Sequence, residues 1–337
     1  MKPSEAQALY EKLAEMIGKE DITGMPKTPA FLELLSLQFT LEEAQLALHV
    51  HLTGTKLDDI AERSGIDKKK LKSMLLTMAD KGTVRYKIDE EDPVYYVLGM
   101  VAGGLTETGL WGNIKYPFTI RLAGALHQTI KDYSEQTLCK LGFPYAPVWA
   151  AIDALPDDAQ PSENLAEVLK NASHWSVSIC PCRLSHWIVD PGHHCGHMLE
   201  TCMHSGDLSR WAVKHGLAQE ITYDEALERL RQCNRDGLVH TLDINSIVCN
   251  CCNDCCGIFY AYSFGTPTFI PSPFIAHADK SDCNACGVCA DRCPIGAITV
   301  EDVASVNTKL CLGCGVCVPS CDTKAITLKR RQPLQQK

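Results

Sequence analysis

The 337-residue chain has no run of about 18 consecutive apolar residues, so a membrane-spanning helix is not expected. It has no G-x-G-x-x-G and no G-x4-G-K-[S/T], so neither a dinucleotide fold nor a phosphate-cradling loop can be read from it. C-x3-C-x2-C and C-x2-C-H are also missing, which removes the marks of radical S-adenosylmethionine chemistry and of covalent haem. Basic excess is absent: 32 Lys and Arg stand against 41 Asp and Glu, for a net charge of −9. General nucleic-acid affinity needs the opposite balance. Met1 to Glu20 is charged and amphipathic, with neither a secretory apolar run nor a twin-arginine pair. A cytoplasmic location is the expectation. Cysteine is absent through residue 138.

After that point cysteine is abundant. Cys139 stands alone, and eighteen more fall between Cys180 and Cys321. Cytoplasmic thiols stay reduced, so a disulfide framework is a poor account of them and metal is the better one. The composition is otherwise that of a globular protein, 45% hydrophobic and 22% charged. An α+β multidomain chain is expected, in three parts. Residues 1–155 form a metal-free helical domain. Residues 156–274 form a cysteine-rich middle domain. Residues 275–330 form a third, small domain. The first seam lies near Leu155-Pro156-Asp157-Asp158-Ala159-Gln160-Pro161, which has linker composition.

In the first part, Leu41 to Leu52 has apolar residues at helical spacing, with Thr40 as N-cap and Glu43 three residues on. A short helix over 57–63 and a Ser64-Gly65 turn precede a second helix from about Asp67 to Asp80. Two β-like runs follow, 83–88 and 94–98, joined by the acidic turn Asp89-Glu90-Glu91-Asp92. Helix, glycine turn, helix and hairpin resemble a winged helix-turn-helix domain. Lys68, Lys69, Lys70 and Lys72 would suit phosphates, but the acidic turn would face them as well. The domain is therefore read as a surface for dimerisation or partner docking, and not for DNA.

The strongest pattern is C-terminal. Cys283, Cys286, Cys289 and Cys293-Pro294 fit C-x2-C-x2-C-x3-C-P, and the spacing returns at Cys311, Cys314, Cys317 and Cys321. Three thiolates in a tight loop wrap one [4Fe-4S] cubane, while the fourth is carried to the other cluster. Cys283, Cys286, Cys289 and Cys321 are thus expected on one cluster. Cys311, Cys314, Cys317 and Cys293 are expected on the second. Both repeats continue into Ala-Ile-Thr plus an aliphatic residue, which suggests small paired strands. Residues 275–330 resemble the bacterial two-cluster ferredoxin family, with Asp322 where a proline is usual. Two zinc knuckles would instead need two separated cysteine pairs each.

The middle cysteines form two sequence groups. The first is Cys180, Cys182, Cys195 and Cys202; the second is Cys249, Cys251, Cys252, Cys255 and Cys256. Nine thiols, five of them within eight residues, point to one or two further iron–sulfur clusters. Either each group supplies one site or each site draws on both groups. Zinc at the first group is a competing reading. So is the CCG motif of heterodisulfide reductases at Cys255-Cys256-Gly257, although the surrounding spacing differs. Cys233 reads as isolated. His186, His193, His194, His197 and His204 crowd the first group, as ligands, proton carriers or plain surface residues. Arg183 is set to donate hydrogen bonds to a negatively charged cluster.

Over roughly residues 40–330 the chain is similar to a group of cytoplasmic iron–sulfur proteins of anaerobes. That resemblance implies electron transfer with a redox partner protein and no defined reaction. A reductase acting at an unusual middle cluster and a redox-sensing winged-helix regulator are the alternatives.

Overall fold

The computed structural model describes residues 3–21, 23–88, 90–99, 104–105, 108–113, 119–242 and 246–332. Three helices open it: α1 (Pro3–Glu20), α2 (Pro29–Gln38) and α3 (Leu41–Ala47). Thr28 caps α2 by accepting from Phe31 N, with Pro29 pre-set for the first turn. Thr40 and Glu43 form the expected reciprocal capping box on α3. This helix stops at Ala47, short of the expected Leu52, because the next backbone groups find other partners. Leu52 N donates to Glu20 Oε2 at 2.7 Å, and His51 N donates to Thr55 Oγ1 at 3.0 Å.

Next come β1 (Thr55–Lys56), α4 (Leu57–Ser64) and α5 (Lys68–Asp80). Gly65, at φ +69°, ends α4 in the left-handed conformation, where a Cβ would be strained. Leu71, Leu75, Met78 and Ala79 recur at helical spacing and bury one face of α5. Then β2 (Val84–Tyr86) and β3 (Val94–Val97) pair antiparallel, and β1 adds to β3, so the sheet order is β1-β3-β2. Asp89 lies outside the described residues. Three of the basic side chains on this face are already paired. Lys68 meets Asp58 at 2.7 Å, Lys70 meets Glu42 at 2.8 Å and Lys56 meets Asp92 at 2.9 Å.

Two helices, α6 (Thr108–Asn113) and α7 (Thr119–Gln136), lead into the middle of the chain. Its sheet has seven strands: β4 (Ala146–Trp149), β5 (Trp175–Ile179), β6 (Glu200–Ser205), β7 (Gln219–Ile221), β8 (Val239–Leu242), β9 (Ile247–Cys251) and β10 (Phe269–Ile270). Their order is β10-β4-β8-β9-β6-β5-β7, and only β10–β4 is parallel. The helices between them are α8 (Leu165–Leu169), α9 (Pro181–Val189), α10 (Gly206–Lys214), α11 (Tyr223–Asp236) and α12 (Gly257–Ser263). Strand β4 precedes the expected seam near residue 155, yet it sits inside this sheet. One apolar core also runs from Leu9 and Phe31 through Trp111 and Leu126 to Trp211, Ile247 and Ala261. No described helix is long and apolar enough to cross a membrane.

The C-terminal part has β11 (Phe274–Ala278), α13 (Val288–Asp291), β12 (Ile298–Val300), β13 (Ala304–Val306) and β14 (Ile326–Arg330). β11 pairs with β14 and β12 with β13, both antiparallel. The two Ala-Ile-Thr repeats therefore enter separate two-stranded sheets. Gly313, at φ +69°, lets the 311–317 loop lie against β11. A Cβ there would stand 2.1 Å from Phe274 O. Ala151 N donates to Cys314 O at 2.8 Å, which ties this part to the large sheet. Arg330 ties it to Asp158 and Glu163.

Candidate metal centres

At the C-terminus the turns bring remote thiols together. One cavity is lined by Cys283, Cys286, Cys289 and Cys321, closed by Val300, Ala304 and Ile326. Cys293 lies instead with the other loop. Burial pushes the Cys314 thiol up to about 12, and neighbouring Cys311 and Cys293 act in the same direction. The same neighbours raise Cys317 after burial. Backbone amides point at these sulfurs: Ala297 N at Cys293 Sγ (3.1 Å), Ala304 N at Cys283 Sγ (3.3 Å) and Ala276 N at Cys311 Sγ (3.5 Å). Such donors stabilise sulfur that carries negative charge. The two groups of four cysteines, the left-handed Gly287 and Gly315 and the amide donors all suit an iron–sulfur cubane. Asp322 is exposed, outside the residues that line the cavity.

The middle thiols are sorted by strand geometry. Alternation along β9 puts Cys249 and Cys251 on one face and Asn250 on the other. Met203 pairs with Val248 and His204 with Ile247; the same register sets Cys202 opposite Cys249. Cys251 hydrogen-bonds with both Cys249 and Cys256. Cys252, the next residue, lies past the end of β9 and packs with Cys233 and Leu238 instead. The sulfurs of Cys252, Cys255 and Cys195 all lie within 4.8 Å of one another. One compact trio thus combines both sequence groups. Cys180, the N-cap of α9, hydrogen-bonds with Cys182. Cys233 is fully buried and packs with Cys252 and Leu238. Its isolation in sequence hid this. The clue was the period of α11, where Ala226, Leu230, Cys233 and Asn234 form one buried stripe.

Arg183 is the central side chain here. It is 1% exposed, and its guanidinium donates to Met198 O, to Thr201 Oγ1 (3.0 Å) and to Asn250 O (3.0 Å). Those three oxygens are neutral. Burial would weaken its charged form, but the adjoining thiols of Cys180, Cys252 and Cys195 outweigh that and raise its pKa. In turn Cys252 is held below the usual thiol range, first by a hydrogen bond from Cys255 and also by Arg183. A buried cation surrounded by sulfur suits a site that carries negative charge.

The histidines divide by environment. His204 is fully buried 3.5 Å from Cys202 Sγ, and burial pushes its pKa down to about 3. His197 pairs with Asp236 at 3.4 Å. His194 packs edge-on against Trp187, and His186 stacks on His193. Cys251 and Cys256 share an apolar cluster with Leu312, Val316 and Cys314, so the middle thiols adjoin the second ferredoxin loop directly.

Residues 276–299 and 304–327 each match the family of 4Fe-4S binding domains. No curated protein and no solved structure matches the chain. Residues 276–327 thus carry two tandem 4Fe-4S binding motifs, consistent with a C-terminal ferredoxin module.

Proposed function

We propose that this chain is an iron–sulfur electron-transfer protein or subunit that passes low-potential electrons to or from a partner oxidoreductase. The observation that carries the reading is the continuity of its thiol groups. Cys286 is exposed at one end. Cys283, Cys289, Cys311 and Cys317 share one cluster, Cys314 packs with Cys251 and Cys256, and the Cys180 thiol is close enough to interact with both Cys251 and Cys252. Electrons entering near Cys286 therefore have neighbouring sulfur sites the whole way to the Cys195/Cys252/Cys255 trio.

In this reading Cys283, Cys286, Cys289 and Cys321 hold one [4Fe-4S] cluster, and Cys311, Cys314, Cys317 and Cys293 the other. Each supplies one-electron redox chemistry when bound. The protein's own part is to exclude water, to orient the thiols and to set the charge around them through Arg183 and the backbone amides. Two further sites are nucleated by Cys195/Cys252/Cys255 and by Cys249/Cys251/Cys256. Their remaining ligands come from Cys180, Cys182, Cys202 or a nearby histidine. Anaerobic purification with iron and sulfide counts tests the reading. At least three clusters, about twelve irons per chain, are expected. About eight irons with zinc in the middle region would overturn it.

The N-terminal helix-turn-helix with its hairpin serves, in the same reading, as a docking surface of the winged-helix kind. Ion pairs of Lys68, Lys70 and Lys56 with Asp58, Glu42 and Asp92 reduce the cationic charge this surface offers to phosphates. Duplex DNA titrated at two salt concentrations is expected to show weak binding that collapses as salt rises. A salt-resistant preference for one sequence, of three or more orders of magnitude, would make the chain a regulator instead.

A further inference from the structure

The Cys255 thiol belongs to two trios at once. Its sulfur lies within 4.8 Å of those of Cys195 and Cys252. It also lies within 4.8 Å of a ring nitrogen of His186 and a carboxylate oxygen of Asp254, which are equally close to each other. Ligand atoms on one metal ion bound at about 2.0–2.3 Å can be no more than about 4.6 Å apart. His186 and Asp254 are near that limit, so both can reach one iron beside the Cys255 thiol.

His186 is prepared for such a role. It sits in the last turn of α9, with His127 at 5.2 Å and His193 stacked at 5.4 Å and 15°. Held against two rings, the imidazole has little freedom to turn. Its Nδ1 is buried and has no hydrogen-bond partner. Buried polar nitrogens are almost always satisfied, and one that is not calls for an ion or another explanation. Asp254 is also held, since both its oxygens contact His193 Nε2, at 3.0 and 3.1 Å. Carboxylates that ligate a metal are themselves hydrogen-bonded, as Asp254 is by His193.

We propose that His186 is a nitrogen ligand to one iron at the Cys195/Cys252/Cys255 site, with Asp254 supplying an oxygen at the same corner. This rests on the reading that the middle thiols hold iron. The site would then be chemically distinct from the two all-cysteine ferredoxin sites. An imidazole in place of a thiolate removes negative charge from the iron and raises its reduction potential. The iron that carries it would be the electron-accepting end of the series of thiol groups. It lies beside exposed His193 and His194, where a partner or small acceptor can approach.

The test uses the full-length protein, isolated anaerobically from cells grown on 15N-histidine, reduced with dithionite and examined by pulsed EPR. A histidine 15N coupling is expected on one iron signal. His186→Cys is expected to abolish that coupling, to keep the iron content and to move that signal to a lower midpoint potential. His193→Ala is expected to retain the coupling. A protein with twelve or more irons per chain and no histidine coupling would overturn the assignment, as would a coupling that survives in His186→Cys. A wild-type protein with only about eight irons would fail differently, by overturning the proposed function on which the assignment rests. If His186→Cys does not fold, selective 15N labelling of the wild type still decides between coupling and none.

Discussion

Replacing Arg183 by alanine is expected to strip the middle sites of iron while both ferredoxin clusters remain. The side chain is almost wholly enclosed and binds three backbone or hydroxyl oxygens on three segments: Met198 ahead of β6, Thr201 on β6 and Asn250 on β9. Alanine leaves those acceptors buried without donors, at about 1–3 kcal/mol each. It also removes a positive charge that bears on Cys180, Cys195 and Cys252 together. Truncating one partner of a buried charged contact costs about 3–5 kcal/mol. The iron content is expected to fall to about eight per chain, with the spectrum of a two-cluster ferredoxin. Arg183→Lys keeps the charge but loses the planar fork, so an intermediate loss is expected. Full iron retention in Arg183→Ala would show that the guanidinium does not support these sites.

Replacing Cys293 by serine is expected to damage the cluster of the other repeat. Cys293 is close in sequence to Cys289, yet its neighbours in space are Cys311, Cys314 and Cys317. The thiol next to Cys283, Cys286 and Cys289 in their cavity is Cys321. The spectral change in Cys293→Ser should therefore match that of Cys314→Ser and differ from that of Cys286→Ser. About half of the ferredoxin iron is at stake in each case. If Cys293→Ser instead reproduced Cys286→Ser, the crossed assignment would be wrong.

These expectations differ in how far the sequence could have led to them. The crossing of Cys293 and Cys321 is implicit in the C-x2-C-x2-C-x3-C spacing, since a loop that wraps one cubane cannot also reach it with its fourth thiol. The Thr40–Glu43 box, the Gly65 turn and the buried stripe of α5 were legible for a similar reason. Each involves residues within one or two turns of one another, where backbone geometry leaves few choices. The end of α3 was not legible, because the groups that divert its last turn come from Glu20 and Thr55.

The cysteine pattern by itself determined that this is a metal protein and which eight thiols belong to the ferredoxin motifs. Spacing within a short loop is a local property. Tertiary structure alone decided which of the middle cysteines meet. Cys195 joins Cys252 and Cys255, while Cys251, one residue from Cys252, turns to Cys249 and Cys256. The physical reason is that the antiparallel register of β9 with β6 and β8 holds Cys249 and Cys251 in the sheet, while the strand ends at Cys251 and leaves Cys252 to pack with Cys233 and Leu238. Neighbours in the chain are thereby separated, and each is met by segments from far along the sequence. The same long-range pairing buried Arg183 among the thiols, set Asp254 beside His186 and drew β4 into a sheet that composition had assigned to the next domain.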